Sequence, residues 1–264
     1  MSTARPILRS AVLMAGSGPP VLLLHGSASS AMMWTAVIDA LKPRFRLIAP
    51  DLIGYGRTDP WPDGHDFSLD DELRLIEPLV RDQPVHVVAH SYGGVVALAL
   101  ARAGRVAIRS LTLIEPVAFY VLRDGGDAQA WAAAEAFANE YLACVAAGDS
   151  EAVMRHFVDY WSSAGTWDAM DEGSRAQLRR SAGKLALDFQ IVFADPGADV
   201  FAVKVPVRLI AGDRSPLPVR RIAAVLAARL PSAMLKVVAG ANHLLPITHH
   251  RMLSNLLLET LTVA

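Results

Sequence analysis

Three short segments of the chain hold the residue types that acyl transfer requires. The first is Val88-Ala89-His90-Ser91-Tyr92-Gly93-Gly94, between a run with strand character and a run with helix character. A serine lifted out of a tight strand-to-helix turn can attack a carbonyl. The turn needs small residues two before and two after it, so that strand and helix backbones approach. Ala89 and Gly93 meet that demand, with Ala where Gly is usual. A serine in any glycine-rich turn would give a similar string; its place at a strand-to-helix junction favours a nucleophile.

The second segment is Leu24-His25-Gly26-Ser27, after an earlier apolar run. Acyl transfer builds negative charge on the carbonyl oxygen, and two backbone N–H groups must meet it. Tyr92, directly after the nucleophile, is one expected donor; Ser27, in the loop after the earlier strand, is the other. His25 is expected to shape that loop and not to act as a base. The third segment, Gly240-Ala241-Asn242-His243, carries the general base. Of eight histidines, only His243 both follows the serine in chain order and sits in a loop after a strand. His249 and His250 read as the start of a terminal helix, His156 lies in a helical block and His65 in a polar loop. His90 is expected to point away from the serine. No metal site and no cofactor are implied.

Alternating elements must position these segments. Apolar runs at 7–14, 21–24, 45–49, 85–89, 110–114, 205–210 and 234–239 read as strands. Helical periodicity covers 31–41, 69–81, 93–103, 218–230 and about 249–261. Short apolar strands alternating with helices predict an α/β fold with a mostly parallel, doubly wound sheet. The alternation stops after Pro116. Residues 127–147, 149–161 and about 171–194 read as helix only, which divides the chain into a core of 1–116 and 205–264 and an inserted helical cap of 117–204.

Composition bounds the function classes. The chain has 264 residues, 53% hydrophobic and 19% charged, enough apolar content for a sizeable core. The formal net charge of -1 gives no long-range attraction to nucleic acid or an anionic membrane, so neither is an expected partner. Cys144 is the lone cysteine, which excludes an intrachain disulfide. The apolar run 11–15 is shorter than an export core, and no stretch approaches the roughly eighteen residues that span a bilayer. The expected location is cytoplasmic.

Taken together, His25-Gly26, Asp51-Leu52-Ile53-Gly54-Tyr55-Gly56-Arg57-Thr58-Asp59, the Ser91 turn and Gly240 to His243 make the chain resemble the α/β-hydrolase superfamily, of the serine-nucleophile type with a helical cap. The matching stretches follow the family's order across nearly the whole chain. By that resemblance the 51–59 segment is structural. The family's acid usually lies three residues after the Gly that ends the strand following the cap. Here that Gly is Gly212 and the position holds Ser215, which leaves two carboxylates open: Glu115, at the end of strand 110–114, and Asp213, directly after Gly212. Some members, many haloalkane dehalogenases among them, place a Glu where Glu115 stands. Their nucleophile is an Asp, so Ser91 excludes their chemistry and that of Asp-based epoxide hydrolases.

The expected activity is hydrolysis of a carboxylic ester or related acyl compound, with Ser91 as nucleophile, His243 as base and Glu115 (alternatively Asp213) as acid. A non-hydrolytic or C–C-bond-cleaving enzyme with the same pair, or a slow-turnover small-molecule receptor, are the alternatives. Trp131, Phe137, Tyr141, Phe157 and Trp161 in the helical block suggest a hydrophobic small-molecule substrate. The block is expected to select substrates without affecting the chemistry itself.

Overall fold

The computed structural model describes residues 5–194 and 200–263. Seven strands form one sheet: β1 Val12–Ala15, β2 Pro20–Leu24, β3 Arg46–Pro50, β4 Val85–His90, β5 Ile108–Ile114, β6 Val207–Gly212 and β7 Ala233–Val238. Their order is β1-β3-β2-β4-β5-β6-β7, with β1 antiparallel and every other pair parallel. The strand expected over 7–14 is shorter and later than its apolar run suggests, because β1 pairs only with residues 47–50 of β3.

Helices α1 (Thr35–Leu41), α2 (Leu69–Val80) and α3 (Tyr92–Ala103) cross over between the first strands. Between β5 and β6 lie α4 (Tyr120–Asp124), α5 (Ala128–Ala146), α6 (Ser150–Trp161), α7 (Thr166–Ala169), α8 (Glu172–Arg180) and α9 (Ala182–Ala194). After β6 come α10 (Leu217–Arg229), α11 (Leu245–Thr248) and α12 (His250–Val263). The single helix expected over 171–194 is two, divided at Ser181, whose N–H closes a tight turn onto Leu178. α8 buries no residue, whereas α9 buries Leu185, Phe189 and Val192, so the division separates a wet helix from a core one. Residues 195–199 of the expected 117–204 insertion lie outside the described residues.

Strand alternation sends side chains to two cores. Val21, Leu23, Leu47, Val88 and Ile210 face the side that α12 covers with Leu253 and Leu257. Leu22, Leu24, Val87, Ala89 and Leu209 face the other side, where Val95, Val96 and Ile222 from α3 and α10 pack. α3 is buried from Tyr92 to Leu100, which is why its sequence is apolar all round.

The parallel register decides what meets at the carboxyl edge. Leu24 pairs with Ala89, His90 with Ile114, Ile114 with Ile210, and Gly212 with Val238. The residues that follow these strands therefore emerge side by side. The chain direction of strand addition reverses between β2 and β4, and such a switch point is where open α/β sheets leave a crevice.

Candidate active site

Ser91 follows β4 and caps α3 with φ 55 and ψ −122, a conformation that costs an L-residue of order 1–3 kcal/mol. Among the described residues, Ala28, Ser91 and Glu115 are the non-glycine positions with positive φ. They occupy the loop after β2, the turn after β4 and the end of β5, so the strain sits on the three loops that converge here. Glycines make the convergence possible. A Cβ on Gly93 would lie 2.6 Å from the carbonyl oxygens of Leu24 and His25, and one on Gly26 would lie 2.8 Å from Ser91 Cβ.

The structure brings Ser91, His243 and Glu115 into one hydrogen-bonded line. Ser91 Oγ lies 3.0 Å from His243 Nε2, and His243 Nδ1 lies 2.8 Å from Glu115 Oε2. Glu115 is fully buried, and its other oxygen accepts from Gly212 N and Ser215 Oγ, each at 2.5 Å. Ser215, three residues after Gly212, thus donates to Glu115. A carboxylate opposite Nδ1 keeps the proton there and leaves Nε2 free to accept from Ser91.

Asp213, the alternative acid, is not brought to the imidazole. It is exposed, and its Oδ1 accepts from Gly240 N at 2.7 Å, while Glu115 occupies Nδ1 of His243. It thereby braces the turn that begins the His243 loop.

Tyr92 opens α3, so its N–H has no acceptor within the helix and faces the same edge. Ser27 shares the walls of both cavities at Ser91. His25 is buried as a scaffold: its Nε2 accepts from Leu52 N at 2.9 Å and its Nδ1 donates to Gly26 O at 2.7 Å. Burial lowers it to about 4, so it is neutral near pH 7. Asp51 accepts from Ala31 N and Arg57 N, bracing loop backbone away from the site. His249 and His250 bond Thr248 Oγ1 and Ile247 O at the surface.

His90 does not point away from the serine. Its ring packs 4.7 Å from that of His243, and its Nε2 donates to His243 O at 2.9 Å. Burial and the neighbouring imidazole hold it well below the ordinary histidine value, so it anchors the His243 backbone as a neutral ring. The sharp turn at Ser91 breaks the alternation that the strand pattern alone would continue.

The helices between β5 and β6 also reach the site. Trp161 stacks 4.1 Å from the His243 ring, and Asn242 Nδ2 donates to Ser162 O at 3.1 Å. Phe157 and Trp161 line the cavities, whereas Phe137, Tyr141 and Trp131 pack with Tyr160, Phe189 and Phe193. A cavity of about 340 Å³ opens from Ser91 and His243 past Met33, Val158, Met170 and Leu178. A second pocket of only about 20 Å³ continues inward past Val117, Phe119 and Leu185 to Asp188. Among the described residues, no group of three or more His, Cys, Asp or Glu is arranged to hold a metal ion. No helix among them is long and apolar enough to cross a membrane.

A family model described as alpha/beta hydrolase fold matches residues 19–250, most of the chain. The chain belongs to the alpha/beta hydrolase fold family. It is 36% identical over 130 residues to "Probable lysophospholipase BODYGUARD 2" of Arabidopsis thaliana, a stretch covering 42% of this chain and 27% of that protein. Over 96 residues it is 34% identical to haloalkane dehalogenase 2 of Mycobacterium bovis, covering 34% of this chain and 33% of the relative. An alpha/beta hydrolase from Sphaerobacter thermophilus superposes with a TM-score of 0.70 at 21% identity, over 94% of this chain and 96% of the other. The matched stretches thus span a third or less of these curated relatives, while the fold agrees over nearly the full length. In an alpha/beta hydrolase fold, the line from Ser91 to Glu115 sits at the carboxyl edge where binding crevices form.

Proposed function

We propose that this chain is a serine hydrolase that cleaves a carboxylic ester or related acyl compound through an acyl-enzyme on Ser91. The observation that carries the reading is the unbroken hydrogen-bonded line from Ser91 Oγ through His243 to buried Glu115. Ser91 Oγ attacks the carbonyl carbon as its proton passes to His243 Nε2. Glu115 stabilises the resulting imidazolium and fixes its orientation. The N–H groups of Tyr92 and Ser27 hold the oxyanion of the tetrahedral intermediate. His243 returns the proton to the departing alkoxide. Water, deprotonated by His243, then attacks the acyl carbon, and the second intermediate collapses to the acid and free Ser91.

The larger of the two cavities at Ser91 supports a hydrophobic small-molecule substrate. At about 340 Å³ it lies at the small end of ligand pockets, and Met33, Phe157, Val158, Trp161, Met170 and Leu178 give it an apolar wall beside the serines. In this reading α4 to α9 act as a cap over the carboxyl edge. The experiment is Ser91→Ala, assayed on short p-nitrophenyl esters under multiple-turnover conditions. Loss of a nucleophile in such a unit costs on the order of a millionfold. A variant that kept most of its turnover with an unchanged melting temperature would sink the proposal. A wild-type protein that bound esters without sustained turnover would point to a receptor instead.

A further inference from the structure

The mechanism leaves unused a buried ionic cluster beside the site. Lys184 and Asp188, one turn apart on α9, are joined by an ion pair, and Lys184 Nζ also lies 3.1 Å from Glu72 Oε1 on α2. All three are nearly or fully buried. Such a cluster is a poor device for stability, because desolvation of the charges offsets most of their attraction. Its other hydrogen bonds show what it holds. Asp188 Oδ2 accepts from Ser27 Oγ and from Tyr55 OH, each at 2.6 Å. Glu72 accepts from Ile53 N at 3.1 Å and, more weakly, from Tyr92 OH at 3.5 Å. Lys184 Nζ also sits over the rings of Tyr55 and Tyr92, at 5.0 and 4.6 Å.

Ser27 and Tyr92 are the two residues whose backbone N–H groups would receive the oxyanion. Their side chains end on the same cluster, and two of its three charged members come from a helix outside the catalytic loops. Burial, then Asp188, pushes the Tyr55 hydroxyl well above its ordinary value, so it remains a donor to that carboxylate. We propose that Asp188, held by Lys184, which Glu72 holds in turn, is a positioning residue that sets the oxyanion donors by fixing the Ser27 side chain and, through Lys184 and Glu72, the Tyr92 ring. α9 then contributes to transition-state stabilisation without touching the reacting atoms. This inference rests on the serine-hydrolase reading and deepens it.

The test compares Ser27→Ala, Ser27→Thr and Asp188→Asn with the wild type. Each is assayed for kcat and KM on p-nitrophenyl acetate, for inhibition by phenylboronic acid, and for melting temperature. A boronate on Ser91 carries a tetrahedral oxygen in the oxyanion position, so it reports the donors directly. Removing the Ser27 hydroxyl leaves its N–H in place but unfixed. Ser27→Ala is expected to lower kcat about ten- to a hundredfold, below the loss from deleting a donor outright. KM should stay within about twofold, and boronate affinity should weaken by a factor similar to the loss in kcat. Ser27→Thr, which restores a hydroxyl, should recover most of both. Asp188→Asn should resemble Ser27→Ala, because the amide loses the charge that pairs with Lys184 and, with its oxygen on Lys184, offers a donor where the Ser27 and Tyr55 hydroxyls now donate, so both hydroxyls must turn. Should Asp188→Asn fail to fold, the Ser27 pair still decides.

Unchanged kcat in Ser27→Ala, a loss of kcat without weaker boronate binding, or no recovery in Ser27→Thr would each overturn the proposal. In those cases wild-type turnover and its loss in Ser91→Ala would leave the hydrolase reading standing. A wild type with neither turnover nor boronate binding would remove both.

Discussion

Replacing Glu115 by Gln keeps the side-chain volume and removes only the charge and one acceptor. The surroundings leave the amide no satisfactory orientation. With its oxygen toward His243 Nδ1, its NH₂ faces Gly212 N–H and Ser215 at the 2.5 Å distances that Glu115 Oε1 now occupies. Turned over, the NH₂ donates to Nδ1 and drives the imidazole proton to Nε2, where it blocks transfer from Ser91. Either way the imidazolium loses its counter-charge. The corresponding change in a serine protease costs about 10⁴-fold, or about 5 kcal/mol of barrier. We expect a loss of that order in the acylation rate, read as the stopped-flow burst of p-nitrophenolate. The orphaned Gly212 N–H should cost a further 1–3 kcal/mol of stability, to about that order, seen in urea unfolding. Asp213→Asn should stay within about threefold, since an amide oxygen still accepts from Gly240 N. A Glu115→Gln variant that was folded and within tenfold of wild type would refute the assigned role. So would an Asp213→Asn variant that proved the more damaged of the two.

Trp161→Ala should lower acylation about a hundredfold, because it removes the ring packed on His243 and lets the base drift, whereas Phe157→Ala should chiefly shift chain-length preference. Fluorophosphonate labelling rates of the two variants separate these outcomes, and equal rates would contradict the difference. Stability should fall as pH drops from about 6.5 to 4. His25 is held down to about 4 and His90 and His86 are also lowered, so the unfolded chain takes up protons that the native state refuses. His25 alone accounts for about 3 kcal/mol, with Glu72, raised by burial, acting in the opposite sense. Urea midpoints that were flat or rising over that window would contradict this. His249→Ala and His250→Ala should leave kcat within about twofold, as both rings bond only local groups; losses like that of His243→Ala would indicate a folding or metal role for this region.

The sheet was legible because buried parallel strands need continuous apolar runs, and Val21–Leu24, Val85–Ala89 and Ser110–Ile114 have them. That Ser91 and His243 would meet was legible because a nucleophile and its base need particular residue types after strand ends. Between Glu115 and Asp213 the spacing left a choice. One residue more or less after a strand decides which way a side chain leaves the sheet, and which carboxylate lies against His243 depends on how the loops after β5 and β6 pack. Lys184 and Asp188 were missed for a different reason. An i, i+4 pair of opposite charges reads as a solvated helix face, and its burial depends on how α9 packs against Glu72 and Tyr55. The same holds for Trp161. Its place on an amphipathic helix predicts burial, but not the contact with the His243 ring, which depends on how the helix packs over the carboxyl edge.

The most direct measurement is rapid-quench intact mass spectrometry of the protein mixed with a short-chain p-nitrophenyl ester. A serine hydrolase built on Ser91 should show one acyl group per chain within the burst, localised by peptide mapping to the fragment holding Ser91. Ser91→Ala should show no such group and His243→Ala should gain it orders of magnitude more slowly. Sustained ester hydrolysis with no acyl group on Ser91, or with the group on another residue, would contradict the assignment.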